Sequence, residues 1–217
     1  MFRPWAAHVP DDIDLCIVHL PGRETRWQEP PFVRLDELCV MLARTLSPAL
    51  DRPFACFGHS LGALVAFELC RRLHASMRLS PRNLFVAAHR APHLPNRLPR
   101  ISRLPDADFV DAVGERHGPL PEAMATHREL MELMLPTLRA DYQMAEDYPY
   151  VAAEPLPCPI SVFGGADDRY VTKDELTSWR AQSSATCVYH AMTGGHFFVD
   201  DFRGAVVSAV LDDLSLR

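Results

Sequence analysis

The 217-residue chain predicts an α/β domain with a mostly parallel sheet flanked by helices. Three observations carry that expectation. Short apolar runs alternate with longer amphipathic ones along most of the length. Turn residues such as Pro21-Gly22, Gly164-Gly165 and Gly194-Gly195 follow the apolar runs. Between Leu104 and Tyr150 the alternation stops, and only helical spacing remains.

The elements follow in order. Residues 13–20 read as a strand, 33–46 as a helix and 54–57 as a short buried strand. A helix runs from Leu61 to about His74, and 83–88 form another apolar strand. Residues 160–163 are a strand entering Gly164-Gly165, with a helix at 173–182 and a strand at 185–190. A closing helix spans 202–214. Within the interrupting block, helical patches fall at 106–113 and 122–142. An extra helical segment placed after a strand of such a sheet is expected to form a lid, here at about 104–150. Four of the eight methionines, Met124, Met131, Met134 and Met144, lie in it. Adaptable methionine side chains suit a lid that meets varied ligands, and they equally suit packing a lid onto a body.

Charged residues make up 23% and apolar ones 48%, the balance of a soluble globular domain. A net charge of −6 argues against nucleic acid or an anionic membrane as the main partner. Met1-Phe2-Arg3-Pro4-Trp5 shows no signal-peptide pattern, and no apolar run approaches the roughly 20 residues of a membrane span. A cytoplasmic, monomeric protein is expected. Cysteines 16, 39, 56, 70, 158 and 187 are scattered without a C-x-x-C, as expected for reduced thiols rather than disulfides or a zinc site.

Gly58-His59-Ser60-Leu61-Gly62 is the most informative stretch. A G-x-S-x-G between a strand and a helix is a nucleophile elbow, in which a strained turn exposes the serine and small flanking residues keep the backbone clear. The helix behind it aims N–H groups at developing negative charge. A serine needs a base, and the base needs an orienting acid, in the chain order Ser, Asp, His. Asp168 follows Ser60 by 108 residues in Gly165-Ala166-Asp167-Asp168-Arg169-Tyr170-Val171. His196 follows Asp168 by 28 in Gly194-Gly195-His196-Phe197. Each falls just after an expected strand. Asp167 competes with Asp168 for the acid's role, and the Gly165-x-x-Asp168-x-x-Val171 spacing favours Asp168. His59 is expected to pack or line a pocket. His89 and His93 are four apart, but Pro92 between them argues against a helical metal pair.

Further segments carry a resemblance. Phe2-Arg3-Pro4-Trp5-Ala6, Leu20-Pro21-Gly22-Arg23-Glu24-Thr25-Arg26, Glu29-Pro30-Pro31, Gly58-His59-Ser60-Leu61-Gly62-Ala63, Arg90-Ala91-Pro92-His93, Leu135-Pro136-x-Leu138-Arg139-Ala140-Asp141 and Gly194-Gly195-His196-Phe197 span nearly the whole chain. In that order they resemble the type II thioesterases, stand-alone editing enzymes of polyketide synthases and nonribosomal peptide synthetases. The resemblance implies an α/β-hydrolase fold over residues 1–217. It implies hydrolysis of stalled or wrongly primed acyl groups from the phosphopantetheine arm of acyl- or peptidyl-carrier proteins. Ser60 would be the nucleophile, His196 the base and Asp168 the acid. No cofactor belongs to the enzyme, since the pantetheine is carried by the partner. The basic stretch from Arg97 to Arg103 could meet an acidic carrier or simply be a solvated loop.

The family pattern also includes a strand and a Pro-His-Ala-Gly-Gly loop before the Phe-x-x-Trp segment; that loop supplies one of two oxyanion donors, the other being the N–H of the residue after the nucleophile, here Leu61. Here Met1 stands directly before Phe2. The expectation is a shortened N-terminus, through a misplaced start codon or truncation, or else a genuinely shortened protein with impaired catalysis. Two alternatives to editing follow: a small-ester hydrolase or acyltransferase of the same fold, and a carrier-binding protein without turnover.

Overall fold

The structure, a computed structural model, describes residues 1–117 and 128–215. The chain divides into two compact units. The first comprises Met1–Ile17, Leu38–Pro95 and Tyr150–Arg217, and the second Val18–Glu37 and Asn96–Pro149. The strands are β1 (Cys56–His59), β2 (Leu84–Ala87), β3 (Ile160–Gly165) and β4 (Cys187–Met192). Among the described residues the α-helices are α1 (Leu35–Leu46), α2 (Leu61–Met77), α3 (Asp106–His117), α4 (Arg128–Glu146), α5 (Lys173–Thr177), α6 (Phe198–Asp201) and α7 (Arg203–Ser215).

In the first unit the four strands pair in the order β1-β2-β3-β4, all parallel. Cys56, Leu84, Ile160 and Cys187 stand side by side across the sheet. Parallel neighbours need crossover connections, which is why helices alternate with strands in the sequence. Successive strand residues bury on opposite faces. Leu84, Val86, Ile160 and Val162 pack with Phe67 and Cys70 of α2 and with Trp179. Phe85, Ala87 and Phe163 pack with Trp5, Phe198, Val206 and Val207. Burial on both sides explains why these strands read as apolar runs rather than alternating patterns.

The expected strand at 13–20 is not formed. That segment carries no ladder among the described residues, and Ile13, Leu15 and Val18 are exposed. Apolar spacing of period two identifies extended chain, but a strand also needs a neighbour for its backbone groups. Helix 173–182 tightens partway: α5 starts in a capping box, with Thr172 Oγ1 accepting from the Glu175 N–H and Glu175 accepting from the Thr172 N–H at 2.8 Å. Thr177 and Ser178 hydroxyls both donate back to the Asp174 carbonyl, and the chain continues as a 3₁₀ helix over Ser178–Gln182. The closing helix expected at 202–214 is found as α7, with the short α6 just before it.

The second unit has its own small apolar core, Ile101, Phe109 and Val113 against Leu135, Leu138 and Tyr142. Arg139 on α4 lies over the Phe109 ring at 4.4 Å and donates to Leu104 O at 2.8 Å and Asp106 Oδ1 at 2.6 Å. Glu146, nearly buried, accepts from the Ile101 N–H at 2.8 Å and the Ser102 hydroxyl at 2.5 Å. The expected helix at 122–142 is found as α4, with Pro136 inside it, while residues 118–127 lie outside the described residues. Met124 is among those. Met144 is buried, Met131 half-buried and Met134 exposed, so the methionines divide between packing and an open apolar surface.

Candidate active site

β1 delivers the chain into a turn so tight that Ser60 adopts φ 54°, ψ −124°. A positive φ at a residue with a Cβ is strained and persists only where the surroundings hold it. The Ser60 N–H donates to Ala87 O at 2.8 Å, pinning the elbow to the end of β2, and Ser60 is the N-cap of α2. At Gly58, a Cβ would stand 2.0 Å from the Gly62 carbonyl oxygen, so only glycine fits. Gly62 is different, because a Cβ there meets nothing within 4 Å. The expected need for small residues on both sides of the serine therefore holds at position 58 and not at 62. Leu61 opens α2, where backbone N–H groups have no carbonyl one turn earlier to bond.

β3 and β4 end next to each other, and their two following loops are zipped together. Ala166 N–H donates to Met192 O at 2.8 Å and Asp167 N–H to Gly194 O at 2.9 Å. At Gly165 a Cβ would come 2.4 Å from Gly195 O and 2.5 Å from Gly194 O, and Gly194 itself takes φ +98°. Glycines at both places permit the loops' close approach.

That approach joins the three residues expected to act together. His196 Nδ1–H donates to Asp168 Oδ2 at 2.8 Å, and the Ser60 hydroxyl donates to His196 Nε2 at 3.1 Å. Asp168 Oδ1 accepts from the N–H groups of Tyr170 at 2.9 Å and Val171 at 3.3 Å. The Asp168 side chain is 1% exposed and that of His196 9%. Burial acts to raise the Asp168 carboxyl. The bond and charge of His196 and the two backbone donors outweigh it, holding the group below its ordinary 3.8. Asp167 is exposed and contributes its backbone N–H to the loop pairing. Of the two neighbouring aspartates, Asp168 is the one whose carboxylate bonds His196.

Other marked residues find local roles. His59, 7% exposed, donates from Nε2 to the His196 carbonyl at 2.7 Å. His89 donates from Nδ1 to Arg90 O at 2.7 Å, while its own carbonyl accepts from Trp179 Nε1 at 2.7 Å. Burial, followed by the Arg90 charge, pushes His89 down to about 4 against the opposing bond to Arg90 O. His93 Nδ1 accepts from Gln182 Nε2 at 2.9 Å. No cluster of three metal-ligating side chains occurs among the described residues, and the six cysteines are free thiols. Arg100 and Arg103 share Asp147 at 2.6 and 3.6 Å, which locally offsets the positive stretch. No described helix is long and apolar enough to cross a membrane.

A family model described as "Thioesterase domain" matches residues 1–214. The linear gramicidin dehydrogenase LgrE of Brevibacillus parabrevis is 39% identical over 201 residues, 92% of this chain and 76% of that protein. The gramicidin S biosynthesis protein GrsT of Aneurinibacillus migulanus is 35% identical over 218 residues, 99% of this chain and 84% of that protein. Among solved structures, the type II thioesterase BorB from the borrelidin biosynthetic cluster superposes with a TM-score of 0.87 at 32% identity, covering 98% of this chain and 86% of that one. A serine held in a strained elbow, an Asp–His pair brought to it by two zipped loops, and a match over almost every residue converge on one assignment: the chain belongs to the thioesterase domain family, with the parallel, helix-flanked sheet of the α/β hydrolases.

Proposed function

We propose that this chain is an editing thioesterase that hydrolyses stalled or aberrant acyl groups from the phosphopantetheine arm of carrier proteins in polyketide or nonribosomal peptide assembly. The observation that carries the reading is the Ser60–His196–Asp168 chain of hydrogen bonds, at 3.1 and 2.8 Å, in a member of this family. The gramicidin and borrelidin names of its relatives support the choice of substrate.

The proposed reaction has two stages. Ser60 Oγ attacks the thioester carbonyl carbon as His196 Nε2 takes the hydroxyl proton. Asp168 holds the Nδ1–H tautomer and stabilises the imidazolium that forms. The carbonyl π pair moves to oxygen, where the Leu61 N–H at the start of α2 donates to the oxyanion. Collapse breaks the C–S bond, and the proton on His196 passes to the pantetheine sulfur. Water then attacks the acyl-serine carbonyl, giving a proton to His196; collapse breaks the bond from the carbonyl carbon to Ser60 Oγ, His196 returns that proton to Oγ, and the carboxylic acid leaves. No step requires a cofactor of the enzyme's own.

We read the helical block of about 104–150 as a lid. Leu133 and Met134 on α4 are exposed apolar side chains. The test is hydrolysis of acyl-carrier and acyl-pantetheine thioesters against matched oxygen esters. Preference for the carrier-bound thioester, abolished by Ser60→Ala, is expected. Equal or better turnover of the oxygen esters would transfer the reading to a general esterase.

A further inference from the structure

We infer that His59 is a positioning residue, whose imidazole locks the base-bearing loop onto the nucleophile elbow. The inference rests on the reading of Ser60, His196 and Asp168 as the reacting site. The end of β4 and the loop after it are tied down through the alternate carbonyls of residues 192, 194 and 196, and the ties come from two directions. Met192 O and Gly194 O accept from Ala166 and Asp167, on the same loop that carries Asp168. These bonds set His196 against Asp168. They do not set it against Ser60. His196 O instead accepts from His59 Nε2 at 2.7 Å, and His59 immediately precedes Ser60. A carbonyl oxygen only accepts, so Nε2 of His59 carries the hydrogen.

The ring is placed for this task. It is buried and edge-on to the His196 ring at 5.1 Å, with the rings of Phe197 and Phe198 at 5.8 and 6.3 Å. The bond spans from the residue before the nucleophile to the main chain of the base. It therefore governs the 3.1 Å Ser60–His196 separation while leaving the 2.8 Å His196–Asp168 bond to the zipped loops. Displacement of about 1 Å between reacting groups can cost 10²-fold in rate.

The experiment compares thioester turnover by His59→Phe, His59→Gln and Ser60→Ala. Phenylalanine keeps a ring and loses the donor, whereas glutamine places an amide N–H near the former Nε2. His59→Phe is expected to lower kcat by about 10- to 100-fold with KM changed less than about twofold. His59→Gln restores kcat to within about fivefold of the parent. The downfield proton signal of His196 Nδ1–H, bonded to Asp168, persists in both. If His59→Phe does not fold, His59→Asn, whose shorter amide falls short of the carbonyl, serves instead and shows the same loss. Parent-like kcat in the donor-less variant, or equal losses in the glutamine and phenylalanine variants, overturns the inference while an inactive Ser60→Ala upholds the site. Retained turnover in Ser60→Ala overturns the reading of the site, and the inference with it.

Discussion

Arg23 and Asp141 meet in a two-point ion pair, Nη2 to Oδ1 at 2.8 Å and Nη1 to Oδ2 at 3.1 Å. It joins the Pro21-Gly22-Arg23 turn to α4, both within the second unit. A second tie runs parallel to it, from the Thr137 hydroxyl to Gly22 O at 2.7 Å. Gly22 has φ +84°, and a Cβ there would stand 2.8 Å from Thr137 Oγ1, so the turn and the helix fit only with glycine. Two segments more than a hundred residues apart thus form one body.

Removing the guanidinium leaves Asp141 largely buried without its fork. Arg23→Ala is expected to destabilise by about 1–3 kcal/mol, a fall in melting temperature of roughly 3–9 °C for a domain of this size. Arg23→Lys recovers only part, since a point charge cannot bond both oxygens. The pH dependence has a definite sign. Burial raises the Asp141 carboxyl above 3.8 despite the opposing bond and charge of Arg23. The folded state therefore takes up this proton at a higher pH than the unfolded chain does, and acidification through that range favours folding. The Arg23→Ala deficit should be largest at neutral pH and shrink on acidification. Thermal melts at several pH values measure it, and a deficit that grows in acid contradicts the assignment.

The two glycines of the elbow should behave oppositely. Gly58→Ala places a methyl 2.0 Å from the Gly62 carbonyl oxygen, and neither backbone can yield without undoing the turn. Loss of soluble folded protein, or destabilisation beyond about 3 kcal/mol, is expected. Gly62→Ala meets open space in the first turn of α2 and removes a flexible residue from a helix. It should stabilise by about 0.5–1 kcal/mol. Denaturant unfolding of the two variants tests the contrast, which a symmetrical role for the glycines would erase.

Much of this site could be read from the chain because its logic is local. Gly58, Ser60, Asp168 and His196 sit at strand ends, and apolar runs followed by glycine or aspartate mark those ends. The ties between distant residues were hidden. Asn83 Nδ2–H donates to Ser161 Oγ at 2.8 Å, the Ser161 hydroxyl donates to Asp213, and His190 Nε2 bonds Asp213 at 2.9 Å. A single serine inside an apolar strand gives no sign of a carboxylate 52 residues later. The bond from His59 to His196 was equally invisible, because a side chain meeting a main-chain carbonyl leaves no pattern in residue types. At 13–20 the reverse holds: local spacing predicts a strand, and the described segment forms no ladder.

His89 contributes an acid-sensitive term to stability. Its folded value of about 4 lies below the ordinary 6.5, so the unfolded chain binds a proton that the folded state refuses. Stability from this group is complete above pH 6.5 and declines as pH falls toward 4. His89→Asn keeps a donor near the Nδ1 position for Arg90 O and removes the titration. Its unfolding free energy should fall less steeply than the parent's between pH 6.5 and 4, as read from urea titrations. An unchanged slope would mean that His89 titrates alike in both states.

Asp168→Asn separates the acid's electrostatic role from its place in the fold. The carboxylate sits with its side chain 1% exposed, one oxygen receiving the Tyr170 and Val171 N–H groups and the other facing His196 Nδ1. Asparagine can satisfy the backbone donors through its carbonyl, which turns its NH₂ toward His196. An NH₂ facing Nδ1 favours the tautomer with the proton on Nε2, which cannot accept the Ser60 proton. A fall in kcat of about 10⁴ is expected, with the elbow and loops intact. The stability effect has its own pH signature. Because the carboxyl is held below 3.8, its contribution is present above that pH and is lost as pH falls through the folded value. The variant should therefore be less stable than the parent at pH 7, with the gap closing in acid. Paired kinetics and unfolding curves check both statements. A large loss of activity with no change in the pH dependence of unfolding would show that Asp168 is not held as a carboxylate in the folded state.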